Sequence, residues 1–267
     1  MTQKDRRLYL LRALIKELPQ YGKVEIPQGE AEQKRLLRAL FNVRPPLPAP
    51  RRFLEIQDAY LSEEIRIRGV TDAASLAPVP ADRRIYLWRG DITALKVDAI
   101  VNAANSALLG CFQPCHSCID NSIHTFSGVQ LRLACQELMR GRREAPGGAK
   151  LTPAYNLPCN YILHTVGPIV SGALRQQDCD LLESCYRSCL QRAAENKIES
   201  VAFCCISTGV FRFPYEKAAE IAVKTVSGFL AQNHSVRQVV FDVFTEKDLQ
   251  RYGQLLGMER KAEACGR

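Results

Sequence analysis

The fold is decided by residues 97–124, "VDAIVNAANSALLGCFQPCHSCIDNSIH". An apolar run that begins at Val97 predicts a buried strand, and it ends in the small and polar residues of a loop. Within eight positions this loop contains Cys111, Cys115, His116 and Cys118. The segment therefore combines a loop suited to a ligand at the end of a strand with the density of thiol and imidazole groups that is typical of a metal site.

On both sides of this segment, from about residue 80 onward, short apolar runs alternate with amphipathic helical segments. Strands separated by helices of a dozen or more residues need crossover connections, which predict an α/β fold with a mostly parallel sheet covered by helices. Ligands of such sheets bind at the carboxyl ends of the strands. The predicted strands are residues 84–90, 97–104, 160–167, 200–208 and 238–245, and the predicted helices are residues 121–139, 178–196, 214–233 and 246–256.

The first 80 residues have a different pattern. Apolar residues at three- and four-residue spacing predict helices over 6–18, 29–43 and 55–69, and residues 71–83 read as a loop or linker. We therefore predict two parts, a helical extension with its linker over residues 1–80 and an α/β domain over residues 81–267.

Composition limits the classes of protein that fit. The 267 residues are 46% apolar and 24% charged, which is typical of a soluble globular protein. The net charge is +8, but no basic run is interleaved with aromatic residues, so we expect no nucleic-acid partner. No signal peptide and no membrane-spanning apolar stretch is recognisable, so we expect no membrane partner and a cytoplasmic location. In that setting, eleven cysteines without a framework spacing indicate mostly reduced core residues.

The cysteine and histidine side chains of the loop suggest zinc, which takes thiolate and imidazole ligands. Two ligand sets fit the spacing: Cys111, His116 and Cys118, or a set in which Cys115 replaces one of these. Adjacent residues seldom bind the same ion and Pro114 stiffens the approach to His116, so the first set is preferred. Three protein ligands would leave a fourth position open. Iron fits the same ligand types, and a chance cluster that binds no ion is the alternative.

Other loops at predicted strand ends also carry candidate residues. Asp91 in "GDIT" could accept a hydrogen bond from an exocyclic amine of a base, or could cap a turn. Phe244 could stack on a base or belong to the core. The residues of "STGVFRFPYE" (207–216) could bind an anion through backbone N–H groups, with Phe211 and Phe213 packing on a sugar, or could form a plain turn.

Taken together, "RGDIT", "VDAIVNAANSALLG", "IDNSIHTFSG" and "STGVFRFP" resemble the macrodomain family, which binds ADP-ribose, over about residues 82–260. The resemblance implies three α/β/α layers around a mixed, mostly parallel sheet. Where most of the family has a Gly-rich run, this chain has "CFQPCHSC". That departure is similar to the zinc-containing subclass, whose members carry an N-terminal helical extension and are associated with a class of sirtuin ADP-ribosyltransferases.

By this resemblance, Asp91 and Ile92 would recognise adenine, Phe244 would stack on it, and Asn105 would bind the distal ribose. Asn105 and Asp120 would be the catalytic residues, and His124 would be structural. The backbone around the diphosphate and distal ribose would come from Cys118, Ile119, Asp120, Ser207, Thr208, Gly209, Val210 and Phe211.

The implied function is that of a zinc-dependent hydrolase with one Zn²⁺ per chain. It would remove mono-ADP-ribose from the Asp or Glu side chains of a modified protein and release ADP-ribose. Its partners would be that modified protein, ADP-ribose and, functionally, a sirtuin-type ADP-ribosyltransferase. The alternative is a non-catalytic module that reads ADP-ribose and contains a structural metal.

Overall fold

The computed structural model describes residues 1–258, in which one eight-stranded sheet forms the centre of the fold. Residues 259–267, the end of the predicted second part, lie outside the described residues. The strands are β1 (Thr71–Asp72), β2 (Pro78–Val79), β3 (Asp82–Arg89), β4 (Leu95–Ala103), β5 (Ala149–Pro153), β6 (Cys159–Thr165), β7 (Ser200–Phe203) and β8 (Gln238–Val243).

The sheet is mixed and mostly parallel. Its order is β2-β3-β8-β7-β4-β6-β5, and β1 pairs with the first residues of β4. Strands β3, β8, β7, β4 and β6 are all parallel, whereas β2 and β5 are antiparallel to their neighbours. The carboxyl ends of the five parallel strands therefore meet at one edge of the sheet, where a ligand is expected to bind.

Helices cover the sheet in two groups. The first group consists of α6 (Gln176–Glu195), α7 (Tyr215–Gln232) and α8 (Glu246–Leu255), which contact one another in sequence. The second consists of α4 (Ile119–Ser127) and α5 (Val129–Met139), which contact β4 and β5. Their apolar faces and both faces of the central strands form one large core, as expected for strands that are buried on both sides.

A smaller core lies among the first three helices, α1 (Gln3–Glu17), α2 (Glu30–Val43) and α3 (Arg51–Arg68). Leu10, Leu11 and Leu14 of α1 are fully buried there, and they pack with apolar residues of α2 and α3. The three helices are therefore a helical unit with its own hydrophobic stabilisation. It also contacts the second group of helices, since α2 and α3 both pack against α4.

These observations confirm the predicted α/β/α fold with a mixed, mostly parallel sheet and N-terminal helices. Three details of the prediction are wrong. The helix predicted over residues 121–139 is two helices, because Gly128 has φ +101° and interrupts it. Strand β5 was not predicted, and the predicted linker contains β1 and β2, each of two residues. In residues 1–258, no helix is both long and apolar enough to span a membrane.

Candidate active site

The loops that follow the parallel strands lie together at the carboxyl edge of the sheet. The loop after β4 leads into α4, and the loop after β7 leads into α7. The site residues predicted from the sequence all lie in the loops after β3, β4, β7 and β8 or in the first turns that follow these loops. The topology thus places the predicted residues along one edge, although they are more than 150 positions apart in the chain.

The metal loop, defined here as residues 111–118, brings three of its four candidate ligands together. The ligand atoms of Cys111, His116 and Cys118 all lie within 4.8 Å of one another. The Cys111 Sγ atom is 3.7 Å from His116 Nδ1. Tetrahedral zinc with usual bond lengths would place a sulfur and a nitrogen ligand about 3.6 Å apart. Two thiols and an imidazole at these distances therefore fit Zn²⁺ in both chemistry and spacing.

Cys115 points away from this group. Its backbone has φ +54°, and its thiol donates a hydrogen bond of 3.3 Å to the carbonyl of Arg35 in α2. Of the two ligand sets that the sequence allowed, the structure brings together Cys111, His116 and Cys118.

The Cys118 thiol is half-buried, and burial raises its pKa to about 12, with smaller contributions from Cys111 and Asp120. A buried thiolate without a cation is therefore unfavourable here. A divalent cation would compensate the negative charge of the ligands, as it does wherever thiolates bind metals.

Asp120 lies in the first turn of α4, behind the metal loop, and is only 5% exposed. Its carboxylate accepts hydrogen bonds from Asn102 Nδ2 at 2.8 Å and from Asn105 Nδ2 at 3.2 Å. Burial raises the pKa of Asp120 to about 6, and these amide donors partly oppose that shift. Asp120 thus joins the end of β4 to the start of α4. This role of Asn102 was not predicted from the sequence, although a polar residue near the end of a buried strand is a signal for one.

Two further side chains complete this polar centre. Asn105 also donates to the carbonyl of Gly110 at 3.0 Å, so it closes the loop ahead of the candidate metal ligands. His124 is buried, its Nε2 lies 3.6 Å from Asp120 Oδ1, and neither ring nitrogen has a hydrogen-bond partner within residues 1–258. Burial lowers the pKa of His124 well below its usual value, so the ring is neutral. The structural role predicted for His124 stays a prediction.

At the other end of the edge, Asp91 acts as a cap. Its carboxylate accepts a hydrogen bond from the Thr93 backbone N–H at 2.9 Å and begins the short turn Ile92–Ala94. The second carboxylate oxygen accepts a 2.6 Å hydrogen bond from Arg68 of α3. Ile92 is buried. Recognition of adenine by Asp91 and Ile92 stays a prediction.

Phe244 does not belong to the core, because it is 84% exposed immediately after β8. The register of β3 and β8 pairs Arg89 with Val243, so Phe244 lies at the same end of the sheet as Asp91. An exposed ring at this position is available for stacking.

The loop after β7 has an unusual backbone. Ser207 has φ +65°, its side chain is buried, and its hydroxyl has no partner within residues 1–258. It lies against Gly167 in the loop after β6, where an added Cβ would be 1.9 Å from Ser207 Oγ. Beyond it, Thr208 donates its hydroxyl to the carbonyl of Cys205, and Val210 is 66% exposed. Glycine at 167 thus allows the two loops to approach closely.

Phe213 corrects one expectation from this loop. It is 1% exposed and packs in the large core, so it cannot contact a sugar, whereas Phe211 remains half-buried at the surface. The helix α7 begins only at Tyr215, so any anion bound by residues 207–211 would meet loop N–H groups and not the first turn of that helix.

Residues of the helical unit that contact the site were not predicted from the sequence. Arg38 and Asn42 of α2 bond to the metal loop and to α4, and Arg68 of α3 bonds to Asp91. The pattern of α2 offered one signal, because Asn42 is a polar residue on the apolar side of a predicted helix. It is in fact 1% exposed.

This chain is similar in sequence to a known protein family and to named proteins. The Macro domain family matches residues 101–222 of this chain. A protein of Treponema medium named "Protein-ADP-ribose hydrolase" is 59% identical over 260 residues, covering 96% of this chain and 100% of that protein. A protein of the same name from Staphylococcus aureus is 48% identical over 261 residues, covering 97% of each chain.

Two solved structures are also similar. The macrodomain of Trypanosoma brucei in complex with ADP-ribose is 31% identical, with a TM-score of 0.65 over 82% of this chain and 95% of that one. A mutant macrodomain of Oceanobacillus iheyensis with ADPR is 34% identical, with a TM-score of 0.61 over 68% of this chain and 96% of that one.

Proposed function

The chain belongs to the Macro domain family, and from that premise we propose that it is a protein-ADP-ribose hydrolase acting on mono-ADP-ribose linked to Asp or Glu side chains. Similarity to hydrolases of this name over nearly the whole chain supports the activity. The single observation that carries the finer proposal is the segment of 16 residues from Asn105 to Asp120, which runs from the loop after β4 into the first turn of α4 and contains the three candidate metal ligands.

In the proposed reaction, the oxygen of a water molecule bonds to C1″ of the distal ribose. The bond between C1″ and the carboxylate oxygen breaks, and its electrons leave with the Asp or Glu of the substrate. One proton of the water passes to a base, and the products are ADP-ribose and the restored carboxylate. Our candidates for the residues that orient the water and accept its proton are Asn105 and Asp120.

The ester linkage suits this site for a chemical reason. A carboxylate has a pKa near 4 in water, so it leaves without a proton from a general acid. Asp120 lies two positions after Cys118, and burial raises its pKa to about 6 while two amide donors oppose that shift, so it is mostly ionised at neutral pH. Such a group is better suited to accept a proton than to donate one.

We propose that Cys111, His116 and Cys118 hold one Zn²⁺. When bound, zinc supplies a Lewis acid and a fixed positive charge. The protein's own residues do the rest: the loop after β7 would hold the diphosphate through its N–H groups, and Phe244 would hold the adenine. Orientation of this kind can contribute several kcal/mol to the lowering of the barrier.

An ADP-ribosyltransferase of the sirtuin type is the proposed source of the substrate, in the cytoplasm. One relative supports a link between the two activities. A protein of Fusarium oxysporum named "Probable bifunctional ADP-ribose hydrolase/ADP-ribosyltransferase" is 41% identical over 242 residues, which cover 83% of this chain and 40% of that protein.

The test uses an ADP-ribosyltransferase that has modified its own Asp and Glu side chains. This substrate is incubated with the wild-type chain, with chelator-treated chain and with His116→Ala, after elemental analysis of each sample. Release of ADP-ribose by the wild type alone supports zinc-dependent hydrolysis. Equal release in all three samples would contradict the zinc dependence and leave the hydrolase.

A reader module is the second candidate, and one observation favours it. Both oxygens of Asp120 already accept hydrogen bonds, and the residue is 5% exposed, as expected for a carboxylate that only braces a loop. Binding of the modified protein without release in any of the three samples would establish the reader instead.

A further inference from the structure

We propose that Arg38 and Asn42 of α2 are positioning residues that hold the metal loop in the geometry its ligands need. In this inference the N-terminal helical unit is a working part of the metal site. It rests on the proposed zinc site, and it assigns a role to a part of the chain outside the family match at residues 101–222.

Arg38 contacts both ends of the segment that carries the ligands His116 and Cys118. Its Nη2 atom donates a 3.0 Å hydrogen bond to the carbonyl oxygen of His116. The same guanidinium donates to Asn121 Oδ1 at 2.9 and 3.2 Å and to Ser122 Oγ at 3.3 Å. One planar, always charged group thus joins the backbone of a ligand to the first turn of α4, which follows Cys118 directly.

Asn121 extends this connection across the loop. Its amide Nδ2 donates to the carbonyl of Gln113 at 3.0 Å, while its Oδ1 accepts from Arg38. The hydrogen bonds of Arg38 and Asn121 therefore reach the loop on both sides of Cys115.

Asn42 holds the turn between these points. Its Oδ1 accepts a 2.9 Å hydrogen bond from the backbone N–H of Cys115, and its Nδ2 donates 2.9 Å to Thr125 Oγ1 of α4. Cys115 has φ +54°, a left-handed conformation that is unfavourable for a residue with a side chain. The next residue is the ligand His116. Holding Cys115 in this conformation aims the imidazole back toward Cys111.

The metal loop has little structure of its own to do this. It contains no helix or strand, and the one backbone hydrogen bond found between its residues joins the His116 N–H to the carbonyl of Gln113 at 3.3 Å. Ordering a free backbone costs conformational entropy at every residue that becomes fixed. Contacts that order the loop before the ion binds therefore raise metal affinity, since the ion need not provide that free energy. Partners of this kind commonly change metal affinity by about 10- to 100-fold.

The test measures zinc affinity of the full chain by competition with a chromophoric chelator, with no substrate present. We expect Arg38→Met and Asn42→Ala to bind zinc about 10- to 100-fold more weakly than the wild type. Arg35→Met is the first control, because Arg35 lies on the same helix and, among residues 1–258, its one hydrogen bond with the loop is made by its backbone carbonyl. It should bind zinc as the wild type does.

A second control separates positioning from general destabilisation. Arg7 is buried in the helical unit, donates to Gln33 Oε1 at 3.0 Å and, within residues 1–258, forms no hydrogen bond or ion pair with the metal loop. Arg7→Met should lower the thermal midpoint of unfolding and leave zinc affinity unchanged. The inference is overturned if Arg38→Met binds zinc within threefold of the wild type, or if Arg7→Met weakens zinc binding equally. A wild-type chain without stoichiometric zinc would instead overturn the metal site of the proposed function.

Discussion

Arg132 offers the sharpest test of how the helical unit is attached to the α/β domain. It lies in α5 and is 4% exposed. Its Nε donates a 2.6 Å hydrogen bond to the carbonyl of Leu109, just ahead of the metal loop. Its Nη1 donates to the carbonyl of Phe41, at 3.2 Å, and to that of Arg44. These last two carbonyls lie at the carboxyl end of α2, where helical C=O groups lack partners within the helix.

The expected effect of Arg132→Met follows from these contacts. Methionine retains much of the apolar stem but leaves three carbonyls without a donor, in a region that water reaches poorly. A buried carbonyl without a partner costs roughly 1–3 kcal/mol. The positive charge of Arg132 near the carboxyl end of α2 also interacts favourably with the helix dipole, which contributes up to about 1 kcal/mol. Burial of the guanidinium is itself unfavourable and lowers the pKa of Arg132 to about 10. The variant no longer buries this charge, which offsets part of the loss in stability. We expect the free energy of unfolding to fall by about 3 kcal/mol.

Urea unfolding measures this change, with two signals recorded. Trp88, the one tryptophan of the chain, lies in β3 and reports on the sheet by fluorescence, while far-UV circular dichroism reports on all helices. The matched control is Arg142→Met. Arg142 is exposed and also donates to a carbonyl near a helix end, that of Met139 at 3.2 Å, so its loss should cost below about 1 kcal/mol. Equal small losses in both variants would refute the proposed attachment.

Three further predictions concern the site and the core. Asn105→Ala should weaken ADP-ribose binding, measured by calorimetry, and abolish turnover; undiminished affinity would remove Asn105 from the ribose site. Gly167→Ala should weaken the same binding at least about tenfold, because the new Cβ would lie 1.9 Å from Ser207 Oγ. Gly228→Ala, with no atom within 4 Å of its new Cβ, should bind normally. Burial lowers the pKa of His164 to about 3, below its unfolded value of about 6.5. The unfolded chain therefore takes up the proton first, and the stability present above pH 6.5 is lost toward pH 3, by up to about 1.4 kcal/mol per pH unit in urea unfolding. A slope unchanged in His164→Gln would contradict this source.

The sequence predicted those parts of the molecule that depend on local patterns. Alternation of apolar runs and amphipathic helices was sufficient for the five parallel strands, because β4, β6, β7 and β8 are mostly buried and β3 still carries a short apolar run around the buried Ile85. Strand β5 escaped because its five residues include an exposed Pro153 and a half-buried Lys150, as suits an edge strand. The single helix predicted over residues 121–139 includes Gly128, which has φ +101° and ends α4 in the structure. The candidate ligands of the metal loop could also be predicted from the sequence, since they lie within eight positions of one another.

What the sequence could not predict is pairing between distant polar residues. Arg38 and Asn121 are 83 positions apart, as are Asn42 and Thr125. In the sequence, Arg38, Asn121 and Thr125 read as ordinary polar positions of predicted helices, and Asn42 stands out only as a polar residue on an apolar side. Their roles arise only because α2 packs on α4, and that packing is decided by apolar side chains that say nothing about which polar groups they will bring together.

The helical unit contacts both ends of the candidate site, and this has a thermodynamic consequence. Arg38 bonds to the metal loop, while Arg68 of α3 bonds to Asp91 and stacks 3.7 Å above the ring of Phe126 in α4. A ligand that binds only the ordered loops stabilises whatever orders them, by an amount that its concentration and affinity set. Zinc at one end and ADP-ribose at the other would therefore each stabilise the three helices. By the same linkage, local opening of those helices would weaken both ligands. The helical unit is thus coupled to the site by contacts, and not only joined to it by the chain.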